Sequence, residues 1–523
     1  MSREGTKRMV KIVIDGQAIE VAAGLTVLRA AEDAGIPIPH FCYHPAFAPE
    51  GSCRMCLVEI EGLPKLELAC STVVRDGMKV QTKSARVAEA RRSVLEFLLA
   101  EHPLDCPICD KAGECKLQDY FEEYGLFEGQ FREAKERREK KYRLSKNLIL
   151  DRERCILCTR CVRFLNEITR TADAGVVRRG VHAEVSIYES EFIDNNYAGN
   201  LAEICPVGAI TDVDFRFKTR VWFLEKKESI CPLCSRGCNI YIDSHPGFPR
   251  VLLPQRVYRI RARENPDVNF RWICDFGRYG YAYLDAGRQD RMLQKKGGRD
   301  TILSWDKALI FLGDKIRGLL LLKKHTRIAT ILHSGLTNEE LFLAKKVFVD
   351  ELRLENIFLA DPPPGRGDDF LLTPERTANR RGWQEIGLPA APPDLKVLAE
   401  KTDLLLIFGP HLASLFNPGD LKGALDRVGA KVLLAAHKSD LDALVDVIIP
   451  TPVVAEKHGT LTNVDGRVQS FAPALEFRGS GLPEWQILLD LAKELKINHR
   501  YFWPLNSTES IFRAMAAEIP FFK

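Results

Sequence analysis

The chain has 523 residues, 46% of them apolar, and a formal charge of +4 from 75 basic against 71 acidic side chains. That length is expected to hold three or more domains with real cores, and the near balance of charge leaves no footprint for nucleic acid or an anionic lipid surface. The apolar runs around Leu319 to Leu322 and Leu404 to Phe408 fall far short of a spanning helix, so no direct membrane span is expected.

Residues 9 to 14 and 17 to 22 read as a hairpin turned by Asp15-Gly16, and Thr26 caps a short helix through Ala34 that Gly35, Pro37 and Pro39 stop. Cys42, Cys53-Arg-Met-Cys56 and Cys70 follow. The set resembles a plant-type [2Fe–2S] ferredoxin, with a wider first gap, and its single Cys-x2-Cys knuckle argues against a zinc ribbon. Gly51 and Ser52 suit a loop whose N–H groups turn toward cluster sulfur.

Residues 83 to 101 carry Val87, Val94, Leu95, Leu98 and Leu99 at helical spacing, a helix that delivers His102 to the run ending in Cys106, Cys109 and Cys115. Three thiolates and an imidazole suit one zinc ion as well as an iron–sulfur cluster, so this run alone decides nothing. The mixed charge run 129 to 143 reads as a solvated connecting segment. Cys155-Ile-Leu-Cys158-Thr-Arg-Cys161 comes next, with Val-Arg-Phe-Leu where a two-cluster ferredoxin would place its near fourth cysteine. The spacing predicts a single [4Fe–4S] cluster completed by Cys205, after which Pro206 fixes the turn. Cys231-Pro-Leu-Cys234-Ser-Arg-Gly-Cys238 with Cys274 has the spacing of the cluster that opens the molybdopterin oxidoreductase fold.

The 15 cysteines and His102 thus divide without remainder into four groups of four, and no cysteine follows Cys274. An odd count and an opening Met-Ser-Arg-Glu-Gly without an apolar signal segment weigh against disulfides and predict a reducing, cytoplasmic setting. From about residue 300 strands (327 to 332, 356 to 360, 403 to 408, 431 to 436, 445 to 449) alternate with helices (338 to 350, 421 to 428), which argues a parallel α/β sheet. Gly335, Gly409 and Gly459 follow apolar segments without forming a dinucleotide fingerprint.

This order of motifs, with Gly199-Asn200 before Cys205-Pro-Val-Gly208 and the segment Glu456-Lys-His-Gly-Thr-Leu-Thr-Asn-Val-Asp-Gly-Arg-Val-Gln469, resembles the large iron–sulfur subunit of respiratory complex I, the NADH-quinone oxidoreductase-G family. The resemblance covers essentially the whole chain. It implies an α+β [2Fe–2S] ferredoxin-like domain (1–80), a one-His three-Cys [4Fe–4S] domain (81–145), a [4Fe–4S] ferredoxin-like domain (146–225), a [4Fe–4S] domain of molybdopterin oxidoreductase type (226–290) and a shortened α/β molybdopterin-oxidoreductase-like scaffold (291–523). The ligand sets it implies are Cys42, Cys53, Cys56 and Cys70 for one [2Fe–2S] cluster. Three [4Fe–4S] clusters would take His102, Cys106, Cys109 and Cys115; Cys155, Cys158, Cys161 and Cys205; and Cys231, Cys234, Cys238 and Cys274. His ligation should favour the reduced state of its cluster, by analogy with Rieske centres.

No molybdopterin is expected: no thiolate is left over, the second half is short, and Phe276 stands where pterin-binding members have a lysine. The implied work is electron relay from a flavin- and NADH-binding subunit toward a quinone-reducing arm, with the oxidoreductase activity belonging to the complex and no catalytic acid, base or nucleophile in this chain. The fourth cluster would lie off that line, with a structural role. The complex would hold the chain on the cytoplasmic side of the inner membrane. Rival readings are the same module in a soluble NAD-linked hydrogenase or formate dehydrogenase, a zinc-stabilised scaffold, and a stand-alone molybdenum or tungsten enzyme.

Overall fold

Alternation in Met9–Ile14 turns Val10, Ile12 and Ile14 inward, and Asp15 and Gly16, at φ 48° and 84°, reverse the chain into Gln17–Ala22. Two successive residues at positive φ give the turn the twist of the strands it joins. The computed structural model describes residues 8–126, 128–188, 192–247, 255–296 and 299–523. It divides into two units, Met1–Phe223 and Leu224–Lys523.

In the first unit a five-stranded sheet runs in the order Gln17–Ala22, Met9–Ile14, Lys79–Gln81, Leu57–Ile60, Glu67–Leu68. The helix Val27–Asp33, capped by the Thr26 side chain, lays Val27, Leu28, Ala30 and Ala31 on that sheet. Ala85–Glu101 is the expected helix, capped by Ser84, with Val87 and Leu95 buried and His102 as its C-cap in extended backbone. Beyond it lie a three-stranded sheet, Ile210–Asp212, Leu148–Leu150 and Tyr142–Arg143, and the hairpin Ala174–Val177 with Glu184–Ile187.

The charge run is mostly exposed, as its reading as a solvated connecting segment expects, but two of its cations are anchored. Lys135 Nζ donates to the carbonyls of Leu99 and Ala100 at 2.5 and 2.9 Å, at the helix C-terminus where carbonyls lack partners. Lys140 pairs with Asp105 and Glu153, each at 2.7 Å. The run is laced to the His102 loop, because its cations find the acceptors that loop leaves open.

In the second unit Glu225–Ile230, Asn239–Ser244 and Val257–Ala262 form an antiparallel sheet, and the connection between its first two strands is the Cys231–Cys238 loop. A seven-stranded sheet follows. Five parallel strands, in the order Val447–Pro450, Ala430–Ala435, Leu404–Phe408, Ile328–Leu332, Asn356–Leu359, continue an antiparallel edge made by Leu293–Lys296 and Arg299–Ile302. Leu404, Leu406 and Phe408 face one core, under helices including Trp305–Leu321 and Glu484–Glu494, while Leu405 and Ile407 face another. Both faces are covered, which is why these strands read as unbroken apolar runs. The helix begun at Asn338 is α-helical to Ala344 and continues as π turns over Lys345–Glu351.

Lys457 lies in this unit's interior, its ammonium 2.8 Å from both Glu340 carboxylate oxygens and 2.9 Å from Glu484. Burial pulls the ammonium down, but Glu340 and Glu484 more than offset it and hold Lys457 above its ordinary range. Lys457→Met strands two carboxylates in the core and is expected to cost about 3–5 kcal/mol, whereas adding Glu340→Leu and Glu484→Leu should recover much of that loss. Urea unfolding followed by circular dichroism checks both.

Candidate metal centres

The Cys42 set converges through its loop. Cys42, Cys56 and Cys70 are buried and Cys53 half-buried, with Gly51 at φ +70° turning the chain into the knuckle. The four form two thiol pairs. A hydrogen bond from Cys53 brings Cys42 down to about 5, and the same bond pushes Cys53 up; Cys56 is likewise pushed up by its bond to Cys70, which is held down. The Cys42 N–H lies 3.4 Å from Cys53 Sγ. A two-iron core needs two such sulfur pairs, and the donor set fits one.

Cys155, Cys158, Cys161 and Cys205 line one cavity, walled by Leu150, Ile156, Val185, Val207 and Ile210, with about 350 Å³ free of protein atoms, open solvent at its mouth included. Leu157 and Thr159 take positive φ, 52° and 58°, which bends the knuckle around that space. Cys161 enters the short helix Arg160–Arg163, and Cys205 closes the set as C-cap of Asn200–Ile204.

His102, Cys106, Cys109 and Cys115 line a second cavity with Arg154 and Gly208, where about 290 Å³ is free of protein atoms, open solvent at its mouth included. Cys106 is exposed, Cys109 buried and Cys115 half-buried. His102 Nδ1 is buried with no hydrogen-bond partner, and burial, then Arg154 and Lys135, lower the imidazole to about 4. A neutral ring with a free lone pair is the state a metal takes.

The fourth set, Cys231, Cys234, Cys238 and Cys274, is wholly buried in the second unit. The Cys231 N–H donates to the Cys238 carbonyl at 2.8 Å, and Gly237 at φ +59° makes the turn between. Cys274 caps Asp275–Tyr279, its Sγ accepting from Gly277 N–H at 3.4 Å. The segment 463–469 latches the loop. Val464 N–H donates to the Ser235 carbonyl at 2.8 Å, Gln469 Nε2 to the Gly237 carbonyl at 2.9 Å, and Arg236 pairs with Asp465 at 2.6 Å.

One electrostatic rule runs through the other three sets. Burial pushes the thiols up, Cys155 and Cys115 to about 11 and Cys158 and Cys274 to about 12, and neighbouring cysteines add to it. The N–H two residues on works the other way, from Leu157 on Cys155, Arg160 on Cys158, Leu233 on Cys231 and Lys111 on Cys109. Such thiols ionise together only around a cation that offsets their charge. Among the described residues no three metal-binding side chains close on a single-ion point. The cavity-lining arrangement and the free lone pair of His102 fit cluster-sized groups.

Direct contacts join three of the sets within the first unit. Arg160 donates to the Tyr43 carbonyl at 2.5 Å and the Ile204 carbonyl at 3.2 Å. Arg163 Nη2 donates to the carbonyls of both Cys42 and Cys158, and its Nη1 to that of Ala48 at 2.9 Å. On the other side Lys116 N–H, next to Cys115, donates to the Pro206 carbonyl, next to Cys205, at 3.1 Å. Cysteine spacing alone passes over these arginines as filler. It also misses Arg220, which donates to the Cys109 carbonyl at 2.7 Å, and Arg154, which pairs with Asp105 at 3.0 Å. Only Arg160, set inside the Cys158–Cys161 knuckle, leaves a signal in the spacing.

Gly208 is the closest approach. A Cβ there would stand 2.1 Å from Cys109 Sγ. Gly208→Ala is therefore expected to displace Cys109 and to lower the iron bound per chain. Iron analysis alongside EPR checks this.

Four family models match in succession: the 2Fe-2S iron-sulfur cluster binding domain over 7–85, the NADH-ubiquinone oxidoreductase-G iron-sulfur binding region over 91–129, the NADH-quinone oxidoreductase subunit 3 ferredoxin-like domain over 146–211, and molybdopterin oxidoreductase over 396–494. The NADH-ubiquinone oxidoreductase 75 kDa subunit of Reclinomonas americana is 38% identical over 358 residues, 68% of this chain and 50% of that protein. A chain in the crystal structure of an NAD+-reducing [NiFe]-hydrogenase in the H2-reduced state is 33% identical, with 40% of this chain and 91% of that one covered and a TM-score of 0.37. The chain spans about half the length of most of the curated relatives it matches. NADH-quinone oxidoreductase subunit 3 of Thermus thermophilus, however, is 32% identical across 90% of this chain and 69% of its own length. A likeness sustained over both the cysteine-rich part and the α/β part shows that the chain belongs to the NADH-quinone oxidoreductase-G family of large iron–sulfur subunits.

Proposed function

We propose that the chain is the electron-relay subunit of an NADH:quinone oxidoreductase, with one [2Fe–2S] cluster on Cys42, Cys53, Cys56 and Cys70. Three [4Fe–4S] clusters would be held by His102 with Cys106, Cys109 and Cys115, by Cys155, Cys158, Cys161 and Cys205, and by Cys231, Cys234, Cys238 and Cys274. When bound, these groups supply one-electron donor and acceptor levels. The observation that carries the reading is the loop-to-loop contact of three ligand sets, Cys42 to Cys158 through Arg163 and Cys205 to Cys115 through Pro206 and Lys116. Tunnelling falls exponentially with distance, so adjacent redox groups pass electrons where one long hop fails.

The contacts favour an order with the Cys155 set between the Cys42 and His102 sets. Electrons would enter from a flavin- and NADH-binding subunit and leave toward a quinone-reducing arm. The five segments 1–80, 81–145, 146–225, 226–290 and 291–523 are the proposed division, the first three bearing the relay. The last is a scaffold that carries no pterin: the position two after Cys274 holds Phe276, with the Arg376 guanidinium 4.9 Å from its ring centroid. Among the described residues no helix is long and apolar enough to cross a membrane. Attachment to the cytoplasmic face would come through partner subunits.

Anaerobic purification with iron, sulfide, zinc and molybdenum analysis tests the assignment. About fourteen iron per chain is expected from one two-iron and three four-iron cores, and zinc in their place, or molybdenum with pterin, overturns it. His102→Cys should keep its cluster at a lower potential and His102→Ala should weaken or lose it. An unchanged EPR spectrum from the alanine variant removes His102 from the ligand set.

A further inference from the structure

Arg163 is only 7% exposed, and its donors go to main chain on both sides of a boundary between two ligand sets. One nitrogen, Nη2, serves the carbonyls of Cys42 and Cys158, so those two oxygens lie within two hydrogen-bond lengths of each other. Nη1 holds Ala48, Nε holds Thr159 Oγ1 at 3.3 Å, and the guanidinium lies 5.3 Å from the Phe47 ring centroid. The Glu50 carboxylate, at 4.0 Å, is half-exposed and at the limit of ion pairing. Arg160 spans the same boundary from Tyr43, next to Cys42, to Ile204, next to Cys205, and its Nε is buried without a partner. Among the described residues neither fork has a carboxylate within hydrogen-bond distance, Glu50 standing at 4.0 Å and Glu167 bound to the Ala48 N–H, so the two positive charges between the sets are only partly compensated.

We propose that Arg160 and Arg163 form a cationic strap between the Cys42 and Cys155 centres. Arg163 is the positioning residue that fixes their separation, and the two charges together raise both reduction potentials. The inference rests on the relay reading and deepens it. A reduced cluster is one unit more negative than an oxidised one, so a fixed cation in a low-dielectric gap favours reduction. A guanidinium suits the strap because its planar fork reaches several carbonyls at once, which an ammonium on a flexible stem does not.

The test compares Arg160→Gln, Arg160→Lys, Arg163→Gln and Arg163→Lys in the purified complex, titrated anaerobically with dithionite. Midpoint potentials are read by EPR, and the spin–spin interaction between the two reduced centres by relaxation measurements. Each Gln variant should lower the reduction equilibrium of both centres about tenfold, about 59 mV for one electron. Both Lys variants should keep wild-type potentials, while Arg163→Lys weakens the spin–spin interaction. Gln variants that assemble with wild-type potentials and interaction overturn the strap. If the Gln variants lose iron, Arg163→Lys with an undiminished interaction overturns it instead. Absence of both cluster signals from the wild-type complex would sink the relay reading itself, a separate outcome.

Discussion

Gathering sulfur anions in a protein interior is the constraint on which this molecule turns. Burial and mutual repulsion push Cys155 and Cys115 up to about 11 and Cys158 and Cys274 up to about 12, whereas Cys42 and Cys70 are held down by hydrogen bonds from their partner thiols. The fold answers with partial charges that cannot leave. N–H groups two residues past Cys155, Cys158, Cys109 and Cys231 favour each thiolate, and knuckles bent through positive φ at Leu157, Thr159 and Gly237 aim them. What N–H groups leave uncompensated, a metal core must supply, so metal binding and folding are one equilibrium in these loops.

The buried arginines belong to the same balance. Arg160, Arg163 and Arg220 donate to carbonyls of ligand residues or their neighbours. Each such bond gives a main-chain carbonyl a charged donor and brings a permanent positive charge beside the ligand loops. Arg154 instead pairs with the Asp105 and Asp151 carboxylates at the His102 cavity, where burial first and the Arg154 charge second keep the imidazole neutral, its Nδ1 without a hydrogen-bond partner.

Much of this is legible in the sequence because it is local. The hairpin at Asp15-Gly16, the Thr26 cap and the helix ending at His102 follow from turn, cap and period signals within a few residues. The parallel strands are legible because burial on both faces writes itself as unbroken runs such as Leu404–Phe408. The anchoring of Lys135 and Lys140 in the exposed charge run is hidden because their acceptors, the carbonyls of Leu99 and Ala100 and the Asp105 carboxylate, lie 35 or 36 residues earlier. Arg163 is hidden for the same reason, since its acceptor Cys42 is 121 positions away. Long-range hydrogen bonds leave no period.

The segment 456–469 shows why a motif without metal ligands belongs with those that have them. Its first residues, Glu456 and Lys457, lock into the α/β core through Arg256, Arg288, Glu340 and Glu484. Its last, Asn463 through Gln469, hold the main chain of the Cys231–Cys238 loop. Between them the strand Gly459–Thr462 is fully buried and tied by Thr460 to Glu339 and by Thr462 to Asn379. A loop that must keep three sulfurs at fixed separations, with Cys274 completing the set from outside it, cannot rest on its own short turn. It is rigid here because the second unit's core reaches it through fourteen contiguous residues, so a residue such as Asn379, which holds no ligand, still fixes where sulfur stands.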